Sequence, residues 1–137
     1  MNLLAFSPTE CALDESLESM HAESEEWLKE IDFWRDEIIF FNRLMYKHKQ
    51  ETKRDIPTQE LAAIERDMIF INRDKLDLLR NDAYHHEQML SSILQSVSFH
   101  DEELCRRKHR ELLRDISSMH LLIRNFKSKV FSIIPKK

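Results

Sequence analysis

The sequence predicts an all-α fold: three long helices in an up-down-up antiparallel bundle, coiled-coil-like in its packing and suited to dimerisation. Three observations carry this expectation. First, the 137 residues contain no glycine, and the prolines are Pro8, Pro57 and Pro135. Glycine supplies the positive φ of tight hairpins, of many helix C-caps and of phosphate-cradling loops. A chain without it is left with helices and short connections. Second, apolar residues recur at alternating spacings of three and four in three separate segments, the mark of one buried helical face. Third, the composition is 42% hydrophobic and 34% charged, which is the profile of amphipathic helices rather than of a disordered tail. This length forms one domain with a real core. Residues 1–137 are therefore read as a single bundle with helices at about 8–52, 58–96 and 99–134.

The first helix has a start signal in Ser7-Pro8-Thr9-Glu10. Ser7 can cap, Pro8 suits the first helical position, and Glu10 can reach back to the Ser7 amide. Its inward series is Leu13, Leu17, Met20, Ser24, Trp27, Ile31, Trp34, Ile38, Phe41 and Met45. Lys53-Arg54-Asp55-Ile56-Pro57 breaks the pattern, because the residue before a proline is pushed out of the helical region. The second helix carries Leu61, Ile64, Met68, Asn72, Leu76, Leu79, Ala83, His86, Leu90, Ile93 and Val97, close to 3.6 residues per turn. A strict heptad phasing would instead select Leu78, Asp82, His85 and Met89, so the inward histidine is either His85 or His86. Ser98-x-x-Asp101 forms a weaker capping box. The third helix buries Cys105, His109, Leu112, Ile116, Met119, Ile123, Phe126, Val130 and Ile133, and Pro135 ends it.

Short connections make neighbouring helices antiparallel, so helices one and three run parallel. Charge supports the same order: residues 10–37 hold eleven acids and two bases, and residues 104–137 hold ten bases and two acids. The hairpin about residue 55 places Glu37 toward Arg73 and Glu30 toward Arg80.

The net charge of −4 does not suit a molecule built as a whole to attract nucleic acid or anionic lipid. Cys11 and Cys105 have neither metal-like nor disulfide-like spacing and read as reduced thiols. The N-terminal residues do not form a signal peptide, and no apolar segment approaches a membrane span. The expected address is cytoplasmic, with no membrane partner. Glycine-based phosphate loops, His-Glu-x-x-His and a nucleophile elbow are all missing, so no enzyme is expected.

Three sets of residues could carry function. The hairpins bring His21, Ser24, Glu25, Asp82, His85, His86 and His109 to one level of the bundle. Histidines and carboxylates on different helices are how bundles hold zinc or iron, and His21, His86 and His109 are the candidate ligands. Against this, the paired Glu-x-x-His of di-iron bundles is lacking, and Asp82-x-x-His85 is the nearest approach. A buried histidine bonded to a carboxylate or serine is the structural alternative. Arg106, Arg107, Arg110 and Arg114 form a basic patch, but exposed aromatics for base stacking do not interleave it. Phe33, Phe40 and Leu44 form an apolar stripe beside the first seam, either a wide core face or a contact surface. The leading expectation is a non-enzymatic interaction or scaffold protein that self-associates as a homodimer or binds another helical protein. A metal-binding bundle with zinc or iron is the alternative, and a nucleic-acid-binding module ranks below it.

Overall fold

A computed structural model describes residues 16–52, 58–96 and 102–133. They form three rods. Helix α1 is Leu17–Thr52. Helix α2 runs from Thr58–Ile69 through a π-helical stretch, Phe70–Leu76, into Asp77–Ser96. Helix α3 is Glu102–Ile133. No strand occurs among the described residues. The Ser7-Pro8-Thr9-Glu10 start, the Lys53–Pro57 break, the Ser98–Asp101 box and Pro135 lie outside them. Within them, α1 begins on Ser16, whose Oγ accepts the Ser19 amide at 3.0 Å. A serine hydroxyl in that place satisfies one of the orphan donors of the first turn. Glu18 near the start and Lys49 near the end of α1 suit the helix dipole.

Polar contacts between rods give the topology. Asp77 accepts from Arg35, and Arg80 Nε donates to Asp32 at 2.9 Å, so α1 and α2 are antiparallel. His86 meets His109, and Lys129 meets Asp67 at 3.2 Å, so α2 and α3 are antiparallel as well. Glu23, Glu30 and Glu37 contact His109, His120 and Lys127 in ascending order, so α1 and α3 run parallel. The result is the expected up-down-up bundle. The hairpin register is close to the expected one, but the partners differ. Asp32 rather than Glu30 takes Arg80, and Arg35–Asp77 stands in place of Glu37–Arg73, because Glu30 and Glu37 lie on the side of α1 that faces α3.

Among the described residues the core is the predicted seam with one change, and the predicted Leu13 and Val97 lie outside them. On α1, Met20, Ser24, Trp27, Ile31, Trp34, Ile38, Phe41 and Met45 are buried. On α3, the buried set runs from Cys105 to Val130 as expected, and Ile133 packs partly against it. On α2, Ile71 is buried where the sequence points to Asn72. The inward series is Leu61, Ile64, Met68, Ile71, Leu76, Leu79, Ala83, His86, Leu90 and Ile93. Its spacings are threes and fours except between Ile71 and Leu76, which are five apart. That five falls inside the π-helical stretch. A π turn accommodates one extra residue without rotating the flanking helices out of phase. The backbone at both ends of the stretch is ordinary α, with φ −64 and ψ −45 at Ile69 and φ −62 and ψ −45 at Asp77. The extra residue is what brings His86 inward and leaves His85 exposed.

The core is split along its length. The larger cluster extends from Trp27 to Val130, and a smaller one holds Met20, Leu90, Ile93 and Cys105. Between the two lie the buried polar residues Ser24, His86 and His109.

Candidate functional site

The polar layer is built from all three rods. His109 on α3 and His86 on α2 are fully buried, and His86 Nε2 lies 2.8 Å from His109 Nδ1. His109 Nε2 lies 2.7 Å from Glu23 Oε1 on α1. An ionised carboxylate can only accept, so the Nε2–H of His109 donates to Glu23. With His109 neutral, its Nδ1 accepts from the Nε2–H of His86. His86 Nδ1 is then left as an acceptor, facing the buried Cys105 Sγ at 4.0 Å. The chain of donors therefore runs from the thiol inside the bundle to a carboxylate at its edge. Trp27 stacks on the His109 ring, with centroids 4.5 Å apart and planes 26° from parallel. This packing holds the imidazole in the orientation that serves both contacts.

Burial holds His86 neutral. Desolvation first, then the neighbouring His109 and Lys108, pull its pKa from 6.5 down to about 3. A proton on His86 would be an uncompensated buried charge. Ser24 Oγ is also buried, without a hydrogen-bond partner.

The expected ligand set His21, His86 and His109 divides in space. His86 and His109 join each other, while His21 faces Glu87, with Nδ1 3.0 Å from Glu87 Oε1. His21, Glu25 and Glu87 place their donor atoms within 4.8 Å of one another. Glu23 and Glu87 are the participants that sequence reasoning missed. Glu23 belongs to the heptad row Glu23, Glu30, Glu37 that meets α3, and that row is visible in the sequence once the acidic-on-basic pairing of α1 with α3 is accepted.

The buried pair gives a mutational expectation. His86→Leu or His109→Leu alone leaves the other imidazole with an unsatisfied buried nitrogen, a cost of about 1–3 kcal/mol. The double replacement removes both partners and leaves Glu23, which is 38% exposed, to water. Chemical denaturation should therefore find the double variant more stable than the sum of the two single losses, and close to the native protein. A double variant as damaged as that sum would contradict a mutually satisfied pair.

Arg106 contacts Glu102 one turn earlier at 3.6 Å, and among the described residues Arg107, Arg110 and Arg114 form no ion pair. The acidic face of α1 is met by His109, His120 and Lys127 instead. The apolar stripe also divides. Leu44 packs partly against the core, as a wide face would. Phe33 and Phe40 remain 59% and 57% exposed.

An open groove between α2 and α3 is lined by Lys75, Leu78, Leu79, Asp82, Asp115, Ser118, Met119 and Leu122. Burial, with lesser contributions from Asp82 and Glu111, lifts the Asp115 carboxyl above its usual range against the pull of Lys108 and Lys75. The groove lining includes no histidine or cysteine to serve as base or nucleophile. No helix among the described residues is long and apolar enough to cross a membrane. Comparison with known protein families, with curated proteins and with solved structures finds no match.

Proposed function

We propose that this bundle is a non-enzymatic interaction protein that pairs with a second copy of itself through the outer face of α1. The observation that carries the reading is a row of four exposed residues spaced by seven: Glu26, Phe33, Phe40 and Lys47. Residues seven apart lie on one helical stripe. Two apolar rings, each more than half exposed, form its centre, with an acid at one end and a base at the other. Such a row complements itself when two copies are antiparallel. Phe33 then lies on the partner's Phe40, and Glu26 lies opposite the partner's Lys47. Two-fold pairing of one patch on itself is the commonest way for soluble proteins to associate. Each phenylalanine taken out of water contributes roughly 1.5–3 kcal/mol when fully covered, while the end charges add direction more than strength.

A charge-swap cycle tests the arrangement. Glu26→Lys places like charges at both ends of the interface and should weaken association several-fold. Lys47→Glu should do the same. Combining the two restores an acid opposite a base, and the double variant should associate like the native chain. Sedimentation velocity over a dilution series reads all four proteins. Single variants that associate unchanged, or a double variant weaker than either single one, would overturn the antiparallel pairing.

A further inference from the structure

We infer a divalent-metal site between α1 and α2, formed by His21, Glu25 and Glu87 and separate from the buried histidine pair. It stands independently of self-association, since Glu26, Phe33, Phe40 and Lys47 take no part in it. His21 and Glu25 are four residues apart on α1 and share a face, and Glu87 reaches across from α2. One donor atom from each lies within 4.8 Å of the other two, the only such grouping among the described residues.

Three further observations point to a cation. His21 Nδ1 is shut off from solvent and makes no hydrogen bond, although Glu87 Oε1 is only 3.0 Å away. The two atoms are close but not aligned for a shared proton. Nitrogen and oxygen donors bound to one zinc at about 2.0–2.1 Å stand roughly 2.9–3.3 Å apart for bond angles between a right angle and a tetrahedral one. The observed 3.0 Å falls within that range. Second, two carboxylates and one imidazole leave the cluster with excess negative charge. Neither Glu25 nor Glu87 is paired with a lysine or arginine among the described residues. Third, Gln88 Nε2 donates to Glu87 Oε2 at 3.2 Å. That contact occupies one carboxylate oxygen and leaves Oε1 turned toward His21, as a supporting hydrogen bond does for a metal-bound carboxylate.

One imidazole with two carboxylates suits a transition-series divalent ion such as zinc or iron(II) better than calcium or magnesium, which take oxygen ligands only. Three protein donors leave coordination positions for water, and the exposed Glu25 forms the open side. Bound there, the ion would clamp the N-terminal part of α1 to α2. Binding confined to the folded state raises the temperature of unfolding.

The test uses untagged full-length protein stripped with chelator and titrated with zinc chloride by calorimetry. The expected result is one zinc per chain, with affinity reduced ten- to a hundredfold or more in His21→Ala and in Glu87→Gln. His86→Gln with His109→Gln should leave zinc affinity unchanged. Circular dichroism checks that each variant keeps its helix content. Cobalt(II) gives a second readout on the native protein, where a mixed nitrogen and oxygen site should produce visible d–d absorption that zinc displaces. No zinc uptake, uptake indifferent to both His21→Ala and Glu87→Gln, or a cobalt spectrum identical to the hexaaqua ion would each overturn the site. Binding lost only in the His86 and His109 double variant would overturn it too, and would assign the metal to the buried pair.

Discussion

Lowering the pH from 6.5 toward 3 is expected to cost the fold several kcal/mol through His86 alone. In the unfolded chain this imidazole titrates near 6.5, while in the folded protein burial, His109 and Lys108 hold it at about 3. Between those values the unfolded state binds a proton that the folded state refuses, so stability rises with pH across this window. The contribution is fully present above the unfolded pKa and is lost as the pH falls. Each unit of separation corresponds to about 1.4 kcal/mol, which makes the total on the order of 5 kcal/mol. That is a large share of the 5–15 kcal/mol typical of a domain. Replacement by glutamine isolates the effect. The amide of Gln at position 86 can still donate to His109 Nδ1, but it does not titrate. Urea midpoints measured from pH 7 to pH 4 should fall steeply in the native protein and less steeply in His86→Gln. Parallel slopes in the two proteins would contradict a histidine held neutral by burial.

Deleting one residue from α2 is expected to be harmless at one place and ruinous at another only seven residues away. Asp74 is exposed inside the π-helical stretch. Removing it shortens the step from Ile71 to Leu76 from five to four. The stretch can then close into regular α-helix while Leu76, Leu79, Ala83, His86, Leu90 and Ile93 stay inward. The variant should fold, with an unfolding temperature equal to or above the native value, because the poorer π geometry is gone. Asn81 is exposed in ordinary α-helix. Its removal rotates everything beyond it by about 100°. Ala83, His86, Leu90 and Ile93 would leave the core, and Tyr84, Glu87, Ser91 and Leu94 would turn into their places. At roughly 1.5–3 kcal/mol for each of Leu90 and Ile93, with the Glu87 carboxylate turned into an apolar interior in addition, the loss is comparable to the roughly 5–15 kcal/mol stability of an ordinary domain. The Asn81 deletion should lack a cooperative thermal transition. If the Asp74 deletion were equally unfolded, the extra residue would not be what the π stretch absorbs.

The two deletions also mark where the sequence stops being legible. On α1 and α3 the three-four spacing runs without interruption, and each predicted inward residue among those described is buried or packed at the edge of the core. On α2 the same reading fails at one residue, Asn72 in place of Ile71. Hydropathy favours Ile71, but a regular 3.6-residue phasing that also brings Leu76 inward selects Asn72. Straight α-helix and heptad phasing drift apart by one residue over several turns, and the chain resolves the drift with a π turn whose position depends on packing against α1 and α3. The choice of His86 over His85 follows from that turn. The pairing of His86 with His109 was legible as a common level in the bundle, whereas Glu23 was not, because an acid on a helix flank usually faces water. Phe33 and Phe40 could be placed on the outer stripe from spacing alone. Leu44 could not be separated from them, since its burial depends on how neighbouring rods close around the end of the core.

We propose that a second copy of the chain covers Phe33 and Phe40, and molar mass in solution reads this pairing. Light scattering should be recorded between about 1 and 100 µM, the range in which a modest symmetric interface associates. The native protein should rise from the 16.6 kDa of one chain toward twice that value. Phe33→Glu with Phe40→Glu should stay at the mass of one chain throughout, with unchanged helix content. A native mass of a single chain at every concentration, or an association that survives both substitutions, would contradict pairing through Phe33 and Phe40.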